Sequence, residues 1–367
     1  MGNPGLDVFS SIQAVMNTTR LFALLLGVIL PFVLTSCCSV PGPETPDTLV
    51  FQAEEPPGNN PSQDAGMQGL EFDGAVFYVA YPDDGWKKGT ARVSFFGSDH
   101  SYQGRISLGL WDSNDLKVSG NSLYVIDDEH IGTGPAFWEI HFGEQGGVQA
   151  PGAVGTPIPW GPAPYLPDGM RIISIALDAN DKSVWCGLDN IPQTGDNLFK
   201  ERDITLQHLK GPNIAIASDS VALAAPGIVQ GSFVSDGFLF LLINAPINRS
   251  HLPSIPNGDS WDAPDSSPQI AVYDLKPSFP NAGHLLKPLT SWFGYPQVVV
   301  SPAKAYPRRI QIEPEGLATC GDYVYYGNSV SYRPADPSDH RYGSTNTVWR
   351  FRLRLSQMLA EAHRKHP

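Results

Sequence analysis

Side chains that carry oxygen ligands recur at one place in a series of similar segments of the chain. Each segment has an apolar run, a small turn and a second apolar run. Directly after a second run, or directly before a first run, come Asp127, Asp128, Asp189, Asn244, Asn328, Gln68 and Glu315. Carboxylate and amide oxygens that converge from several segments can hold Ca²⁺. The pattern therefore predicts a polar site that binds a small ligand or Ca²⁺.

A purely structural role for these residues is the alternative. Asp and Asn often end strands because their side chains accept hydrogen bonds from nearby backbone N–H groups. For Glu315, which precedes a glycine, three environments stay open. It could share a metal with the other oxygen ligands, pair with an arginine such as Arg308 or Arg309, or face water. A carboxylate buried without any partner would cost several kcal/mol or take up a proton.

The segments themselves predict how these side chains are positioned. The two-run copies are GLEFDGAVFYVAY (69–81), DLKVSGNSLYVID (115–127), SIALDANDKSVWCGL (174–188), GSFVSDGFLFLLIN (231–244) and EGLATCGDYVYYGN (315–328). Each is followed by an alternating run such as ARVSFF or TVWRFRL. Small Gly-containing turns between short β-type runs are typical of hairpins. Repeated antiparallel units favour an all-β fold, a β-propeller of five blades, over a β-sandwich. A sixth blade has room between Leu285 and Ile312.

The blades resemble those of lactonase-like and phytase-like bacterial propellers. The clearest copy is EPEGLATCGDYVYYGNS, residues 313–329. The resemblance implies a divalent ion held by a Glu before the Gly and by Asp or Asn residues of later blades. The matching metal ligands here are Glu315, Asp127, Asn244 and Asn328, with Asp128, Asp189 and Gln68 as further candidates at the same face. Only one blade carries the Glu-Gly pair. The activity implied by the resemblance is metal-assisted hydrolysis of a lactone or phosphoester.

The N-terminal region predicts export and lipid attachment. Residues 21–35 form an apolar run behind Arg20 that is too short to span a bilayer. We expect translation to start at Met16. The run ends in LTSC, which resembles the lipobox of bacterial lipoproteins and implies lipidation of Cys37. An ordinary cleaved signal is the alternative. Lipidation would place the protein in the cell envelope, anchored to the outer membrane.

Four regions follow from these signals. We expect a signal peptide at 1–36, a Pro- and Gly-rich tether at 37–66, the propeller at 67–355 and a helical tail at 356–367. Within the tether, TLVFQA (48–53) has strand composition and could complete the last blade, because an open edge strand invites aggregation. The rest of the segment, including 55–64, is expected to matter less for stability.

The net charge and the lack of catalytic motifs limit the functions that the sequence supports. The net charge of −13, with no basic block, disfavours phosphate-backbone binding to nucleic acid. No GxSxG, HExxH or P-loop motif is present. The sequence therefore favours a lipid-anchored envelope propeller that binds a protein partner or small ligand at its axial face. Metal-assisted hydrolysis is the alternative, and whether the protein is an enzyme is left open.

Overall fold

The structure is a computed structural model of the 367-residue chain. It describes residues 46–55, 66–82, 91–110, 113–127, 137–141, 156–157, 171–178, 183–189, 202–209, 217–246, 260–261, 266–275, 285–295, 308–334 and 343–366. These form five antiparallel sheets and one short helix. In this part of the chain, no helix has the length and apolarity needed to traverse a bilayer.

Each blade is built on four antiparallel strands with equivalent positions in all five blades, and two of the sheets carry one additional short strand. The inner strands are β2 (Gly69–Phe72), β6 (Leu116–Ser119), β10 (Arg171–Leu177), β14 (Ile228–Ser235) and β20 (Arg308–Cys320). The second strands are β3 (Val76–Tyr81), β7 (Ser122–Ile126), β11 (Val184–Asp189), β15 (Phe238–Pro246) and β21 (Tyr323–Pro334). The third strands are β4 (Arg92–Gly97), β8 (Phe137–His141), β12 (Arg202–Leu209), β17 (Ser266–Asp274) and β22 (Gly343–Arg350). The outer strands are β5 (Tyr102–Ser107), β9 (Thr156–Pro157), β13 (Ala217–Ala225), β19 (Thr290–Phe293) and β1 (Thr48–Gln52).

The inner strands form a closed ring. β2 contacts β6, β6 contacts β10, β10 contacts β14, β14 contacts β20, and β20 returns to β2. The predicted hairpins connect each inner strand to the second strand of its blade. Four of the predicted turn glycines have positive φ, namely Gly74, Gly120, Gly237 and Gly321. The five-bladed propeller is therefore confirmed.

No sixth blade forms in the described part of the 285–312 region. β19 completes the fourth blade by pairing with β17. The two-residue strand β18 (Leu285–Leu286) extends the third blade by pairing parallel to β13. Another short strand, β16 (Ser260–Trp261), pairs parallel to the start of β20. The segment 297–302 lies outside the described residues.

The hydrophobic core is divided into five clusters, one between each pair of neighbouring blades. β15 shows why the sequence folds this way. Its residues Leu239, Leu241 and Ile243 pack against the third blade, whereas Phe238 and Phe240 pack against the fifth. Successive side chains of a strand point to opposite faces, so a strand between two blades must be apolar at every position.

The N-terminal strand closes the ring, as the sequence predicted for TLVFQA. β1 pairs antiparallel with β22, from Thr48 opposite Arg350 to Gln52 opposite Thr347. Phe51 is buried in the cluster between the fifth and first blades. The last blade therefore takes three strands from the C-terminal part of the chain and its outer strand from the N-terminal part.

Two buried carboxylates fix the ends of β1. Before the strand, Asp47 accepts hydrogen bonds from the backbone N–H groups of Tyr295 and Arg352 and from the hydroxyl of Tyr326. Burial raises the pKa of Asp47, although these donors and Arg352 oppose the shift. After the strand, Glu55 lies 3.1 Å from the guanidinium of Arg92 in the first blade.

Glu55 contacts the propeller, whereas residues 56–64 lie outside the described residues. The sequence analysis placed 55–64 together as a segment of minor importance, but the Glu55 side chain is only 1% exposed. It also contacts the Ser94 hydroxyl and Arg105. The carboxylate thus joins the closing strand to the first blade.

The C-terminal tail forms the predicted helix, α1 (Leu355–Lys365). Met358 and Ala362 are buried against the cluster between the fourth and fifth blades. Glu361 accepts hydrogen bonds from Thr290 and Trp292 of the fourth blade's outer strand. The helix thus covers the outer part of one blade interface. Cys186 and Cys320 are free thiols.

Candidate functional site at the propeller axis

The axis of the propeller has two ends. We call the end where the inner strands begin the entry end. The other end, where the inner strands pass into their hairpin turns, is the turn end. The predicted oxygen ligands belong to the entry end, whereas a cavity lies at the turn end.

The four predicted metal ligands are all buried. Asp127 and Asn244 are 0% exposed, and Glu315 and Asn328 are 1% exposed. They come from the second, fourth and fifth blades. Polar side chains are seldom buried to this degree without a role, because each buried amide or carboxylate loses its water. The four predicted ligands therefore lie inside the protein, and their role as ligands stays a prediction.

Strand-ending turns do not account for the two asparagines. Asn244 lies inside β15, which continues to Pro246, and Asn328 lies inside β21, which continues to Pro334. The placement of both directly after a strand was therefore wrong, because the long hairpin arms of these blades extend the pairing further. Within the described residues, both side-chain polar atoms of Asn244 and Oδ1 of Asn328 have no hydrogen-bond partner.

Glu315 lies at an irregularity in the inner strand of the fifth blade. The sequence placed it before that strand, but β20 already starts at Arg308 and the pairing shifts between Glu315 and Leu317. Gly316 makes this shift possible, since its φ is +74° and a Cβ there would collide with the backbone nitrogen of Leu70. Glu315 is not exposed to water, so that alternative was wrong. Its Oε1 accepts a hydrogen bond from the Gln230 amide at 3.2 Å.

These contacts place Glu315 and Asn328 on paired strands and connect Glu315 to the blade that carries Asn244. Glu315 and Asn328 lie on paired strands, where Pro314 is opposite Asn328. Gln230 links Glu315 to the fourth blade, in which Asn244 is opposite Ile228. Asp127 is buried at the same end of the second blade, two blades away from the fifth around the ring.

The other predicted residues are placed less centrally or are not described. Gln68 is half-buried, and its backbone N–H donates to the Ala80 carbonyl. The backbone of Asp189 pairs with Arg171 at the end of β11. Asp128 and Cys37 lie outside the described residues, as do Met16 and the whole 1–36 segment. Lipid attachment therefore stays a prediction.

A cavity of about 560 Å³ opens at the turn end. All five inner strands contribute to its wall through residues at or beside their last positions, namely Phe72, Ser119, Leu177, Val234 and Thr319. Glu71, Lys117, Tyr124, Asp178 and Phe233 also line it. A cavity of this size is in the range that holds small molecules.

A buried lysine joins this cavity to the centre of the ring. Lys117 of β6 donates to the Leu317 carbonyl of the fifth blade at 3.0 Å. Its ammonium group lies 3.4 Å from Asp115 and 3.5 Å from Glu71 of the first blade. Asp115 also accepts a hydrogen bond from the backbone N–H of Ile175 in the third blade. The network thus connects four of the five blades.

Burial shifts the acidity of both carboxyl groups in this network. Loss of hydration raises the pKa of Glu71 to about 7, although Lys117 opposes the shift. The same cause raises the pKa of Asp115 to about 6, against the pull of Lys117 and two backbone N–H groups. Burial disfavours the charged form of a carboxyl group. Glu71, whose side chain is 14% exposed, is therefore a group that can exchange a proton near neutral pH.

Sequence reasoning missed Glu71, Lys117 and Asp115, although the repeats carry a signal. Glu71 and Lys117 occupy the same repeat position, two residues before the residue that opens the turn (Asp73 and Ser119). Asp115 precedes the inner strand of the second blade, as the entry-end pattern requires. Opposite charges at the same repeat position of two consecutive blades indicate an ion pair between these neighbouring blades.

No three His, Cys, Asp or Glu side chains in the described part of the chain cluster as a metal site. A metal at the entry end would therefore need the amide oxygens of the two asparagines as well as the carboxylates. Such an all-oxygen set suits Ca²⁺ better than a metal that prefers nitrogen or sulfur.

The comparisons with known proteins give similarities of fold. No family model matches the chain, and no curated protein matches it. Among solved structures, the tail fibre of Staphylococcus aureus phage P68 is 12% identical with a TM-score of 0.45, over 87% of this chain and 56% of the fibre chain. The periplasmic gluconolactonase of Pseudomonas aeruginosa is 12% identical with a TM-score of 0.33, over 76% of this chain and 70% of that chain.

A third solved structure, the nidogen/laminin complex, is 13% identical with a TM-score of 0.35. The match covers 75% of this chain and 79% of that chain. At such identities and TM-scores, these similarities say nothing about the activity of this protein.

Proposed function

We propose that this protein is a lipid-anchored envelope propeller that binds a small ligand or a protein partner at the entry end of its axis. One observation carries the binding part of the proposal. Asn244 and Asn328 bury side-chain amide atoms that have no hydrogen-bond partner among the described residues. A buried polar group without a partner costs about 1–3 kcal/mol. A ligand that supplies the missing partners recovers this cost, which is a source of affinity.

Ca²⁺ is the cofactor that the donor set fits. The side chains of Glu315 and Asp127 supply carboxylate oxygens, and those of Asn244 and Asn328 supply amide oxygens, all buried. Calcium takes six to eight oxygen ligands of these kinds. A bound ion would add a positive charge beside Glu315, whose Oε1 accepts a hydrogen bond from the neutral amide of Gln230.

Calcium-dependent thermal stability tests the site. A ligand that binds only the native state raises its melting temperature. The full chain should melt several degrees higher in millimolar Ca²⁺ than in a chelator, and Glu315→Gln should abolish the shift. Glu54→Gln is the matched control, because Glu54 is exposed. If neither Ca²⁺, Mg²⁺ nor Zn²⁺ shifts the melting of the wild type, the metal is excluded and the entry end binds only organic ligands or proteins.

Metal-assisted hydrolysis is the second candidate function. The observation that favours it is the pair of buried carboxylates, Glu315 and Asp127, within the proposed ligand set. When bound, a divalent ion would polarise a carbonyl or phosphoryl oxygen. A calcium shift accompanied by turnover of lactones or phosphoesters, both lost in Glu315→Gln, would establish this function. A calcium shift without turnover would leave the binding function.

The anchor rests on the lipobox resemblance at Cys37, and adjacent cysteines allow a matched test. Cys37→Ser should accumulate as unprocessed or mislocalised precursor. Cys38→Ser should be processed and sediment with the membranes like the wild type, because only the first cysteine takes the lipid. A soluble mature protein that starts at another residue in both variants would refute lipid attachment.

A further inference from the structure

The cavity at the turn end is a second binding site, separate from the entry end. We propose that it binds a small organic cation, an ammonium group on an aromatic or aliphatic body, with Glu71 as its counter-ion. The proposal rests on the shape of the cavity, on the direction in which its one described lysine points, and on its aromatic wall. It goes beyond the proposed function, which uses other residues at the opposite end.

The wall of the cavity offers a rigid apolar surface. Phe72 stacks on Phe77 with ring centroids 3.8 Å apart and planes 5° apart. Phe233 stacks on Phe240 at 4.5 Å and 9°. Both Phe72 and Phe233 line the cavity. Because packing already orders these rings, binding against them costs little side-chain entropy.

Lys117 does not make the cavity a site for anions. It is the single cationic side chain among the described residues that line the cavity. An ammonium group has three N–H donors. The acceptors around Lys117 are the Leu317 carbonyl, Asp115 and Glu71, so all three donors are engaged within the protein. An anionic ligand would meet Glu71 and Asp178 without gaining a donor from the lysine.

Glu71 has acceptor capacity left for a ligand. Its Oε1 accepts the backbone N–H of Phe72, and its Oε2 lies 3.5 Å from Lys117. A carboxylate offers about four lone-pair sites, so two bonds leave room for more. An ammonium ion beside aromatic rings is also attracted by their negative faces. The combination of a partly exposed carboxylate with two phenylalanines therefore selects a cation.

The proton on Glu71 makes this binding depend on pH. The groups that face Glu71 are Lys117 of β6, Asp115 directly before β6 and the Tyr78 phenol across its own hairpin, while Asp178 lines the same cavity. Since burial raises the pKa of Glu71 to about 7, the carboxyl is mostly charged at pH 8 and mostly neutral at pH 6. An alkyl ammonium, with a pKa of about 10, stays charged at both.

Three probes of one shape test the charge selectivity on the wild-type full chain. 2-Phenylethylamine, 2-phenylethanol and 3-phenylpropionate have similar bodies and carry positive, zero and negative charge. Titration calorimetry at pH 8 should show the amine binding at least tenfold more tightly than the alcohol, with no binding of the acid. Equal binding of amine and alcohol, or tighter binding of the acid, would overturn the proposal.

A variant and a pH change locate the counter-ion. The amine should bind about tenfold more weakly at pH 6 than at pH 8, as the charged fraction of a group with a pKa of about 7 requires. Glu71→Gln should lose amine binding at both values, whereas the exposed control Glu54→Gln and the entry-end variant Glu315→Gln should keep it. The melting temperature of each variant verifies folding. Unchanged amine binding by folded Glu71→Gln would disprove the assignment.

Discussion

The two ends of the axis bury polar side chains in different chemical forms. At the turn end, Lys117 lies between two carboxylates and a carbonyl oxygen, so its charge is balanced within the protein. At the entry end, Asn244 buries both polar atoms of its amide, and Asn328 its Oδ1, without partners among the described residues. The first arrangement links neighbouring blades through buried ion pairs and a hydrogen bond. The second leaves buried polar atoms available for hydrogen bonds or coordination to a ligand.

This contrast predicts that substitutions of the entry-end amides lower stability less than substitutions in the turn-end network. Removing one partner of a buried charge pair leaves the other charge without compensation, which is strongly destabilising. Removing an amide that already lacks a partner loses little. Stability measurements therefore distinguish the ends before any ligand is known.

The largest effect is expected where β1 closes the ring beside the entry end. Deleting 39–54 removes β1 and Asp47, and it leaves the edge of β22 unpaired. Phe51 burial alone contributes about 1.5–3 kcal/mol. Because about 1 kcal/mol shifts the melting of a domain of this size by roughly 2–4 °C, the melting temperature should fall by about 10 °C or more.

Deletion of 56–64 is the matched control for closure. It keeps Glu55 and its contact with Arg92. The N–H groups of Met67 and Ala53 both donate to Asn346, so the two ends of the deleted segment lie close together and a shorter connection can join them. Calorimetry should show little change. Equal effects of both deletions would mean that pairing of β1 does not stabilise the ring.

The next largest effect is expected from Lys117→Met at the turn end. The substitution leaves the buried Asp115 and Glu71 without their cation, and the Leu317 carbonyl without its donor. Loss of one partner from a buried pair costs about 3–5 kcal/mol. Urea unfolding at pH 8 measures this loss.

A double variant shows whether the cost comes from uncompensated charge. Lys117→Met with Glu71→Gln should recover part of the stability, because one of the two carboxylates is then neutral. If the double variant is as unstable as the sum of the single variants, the lysine acts by packing rather than by charge.

The blades were predictable because their signal is local. An apolar run, a turn and a second run are contiguous in sequence, and the glycines at the turns mark the hairpins. The short parallel strands β16 and β18 were not predictable, since each pairs two residues with a distant strand. Similarly, the position of Asn244 within β15 depends on how far the hairpin arm extends, which no local pattern indicates.

The entry-end candidates were found and the turn-end network was missed for one physical reason. A carboxylate or amide that flanks an apolar run is conspicuous in a sequence. Lys117 and Glu71 instead stand inside short runs, where a polar residue is usually taken as a solvent-facing member of an alternating strand. The contact of Lys117 with Leu317 joins residues 200 positions apart, and only closure of the ring brings them together.

The pH dependence of stability should report on the turn-end carboxyl groups Glu71 and Asp115. The folded pKa values of Glu71 and Asp115, about 7 and about 6, exceed their ordinary values of 4.5 and 3.8. In that interval the folded protein binds more protons than the unfolded chain, so these groups make the free energy of unfolding fall as pH rises. The loss ends only once the pH is well above the folded pKa of Glu71.

Glu71→Gln isolates this contribution. Urea unfolding at pH 5 and pH 8 should show a smaller fall in stability for the variant than for the wild type, since glutamine does not titrate. Other buried carboxyl groups, such as Asp47, are common to both proteins and cancel in the difference. A variant that loses as much stability between the two pH values as the wild type would contradict the raised pKa of Glu71. The amides of the entry end do not titrate, so Asn244→Leu should leave the pH profile unchanged.

The smallest effect, and the one whose sign is most informative, is expected from Asn244→Leu. Leucine has nearly the shape of asparagine but no polar atoms to desolvate. Because the amide of Asn244 has no partner among the described residues, the variant should be as stable as the wild type or about 1 kcal/mol more stable in the absence of ligand.

Thr347→Val is the matched control at a buried polar residue with partners, since the Thr347 hydroxyl accepts a hydrogen bond from Trp349 and donates one to the Asn328 carbonyl. That variant should lose about 1–2 kcal/mol. If Asn244→Leu loses as much stability as Thr347→Val, the amide serves the fold and the entry end is a structural core like the turn-end network. If it gains stability but loses the calcium shift, the protein retains Asn244 at a cost in stability because the residue binds.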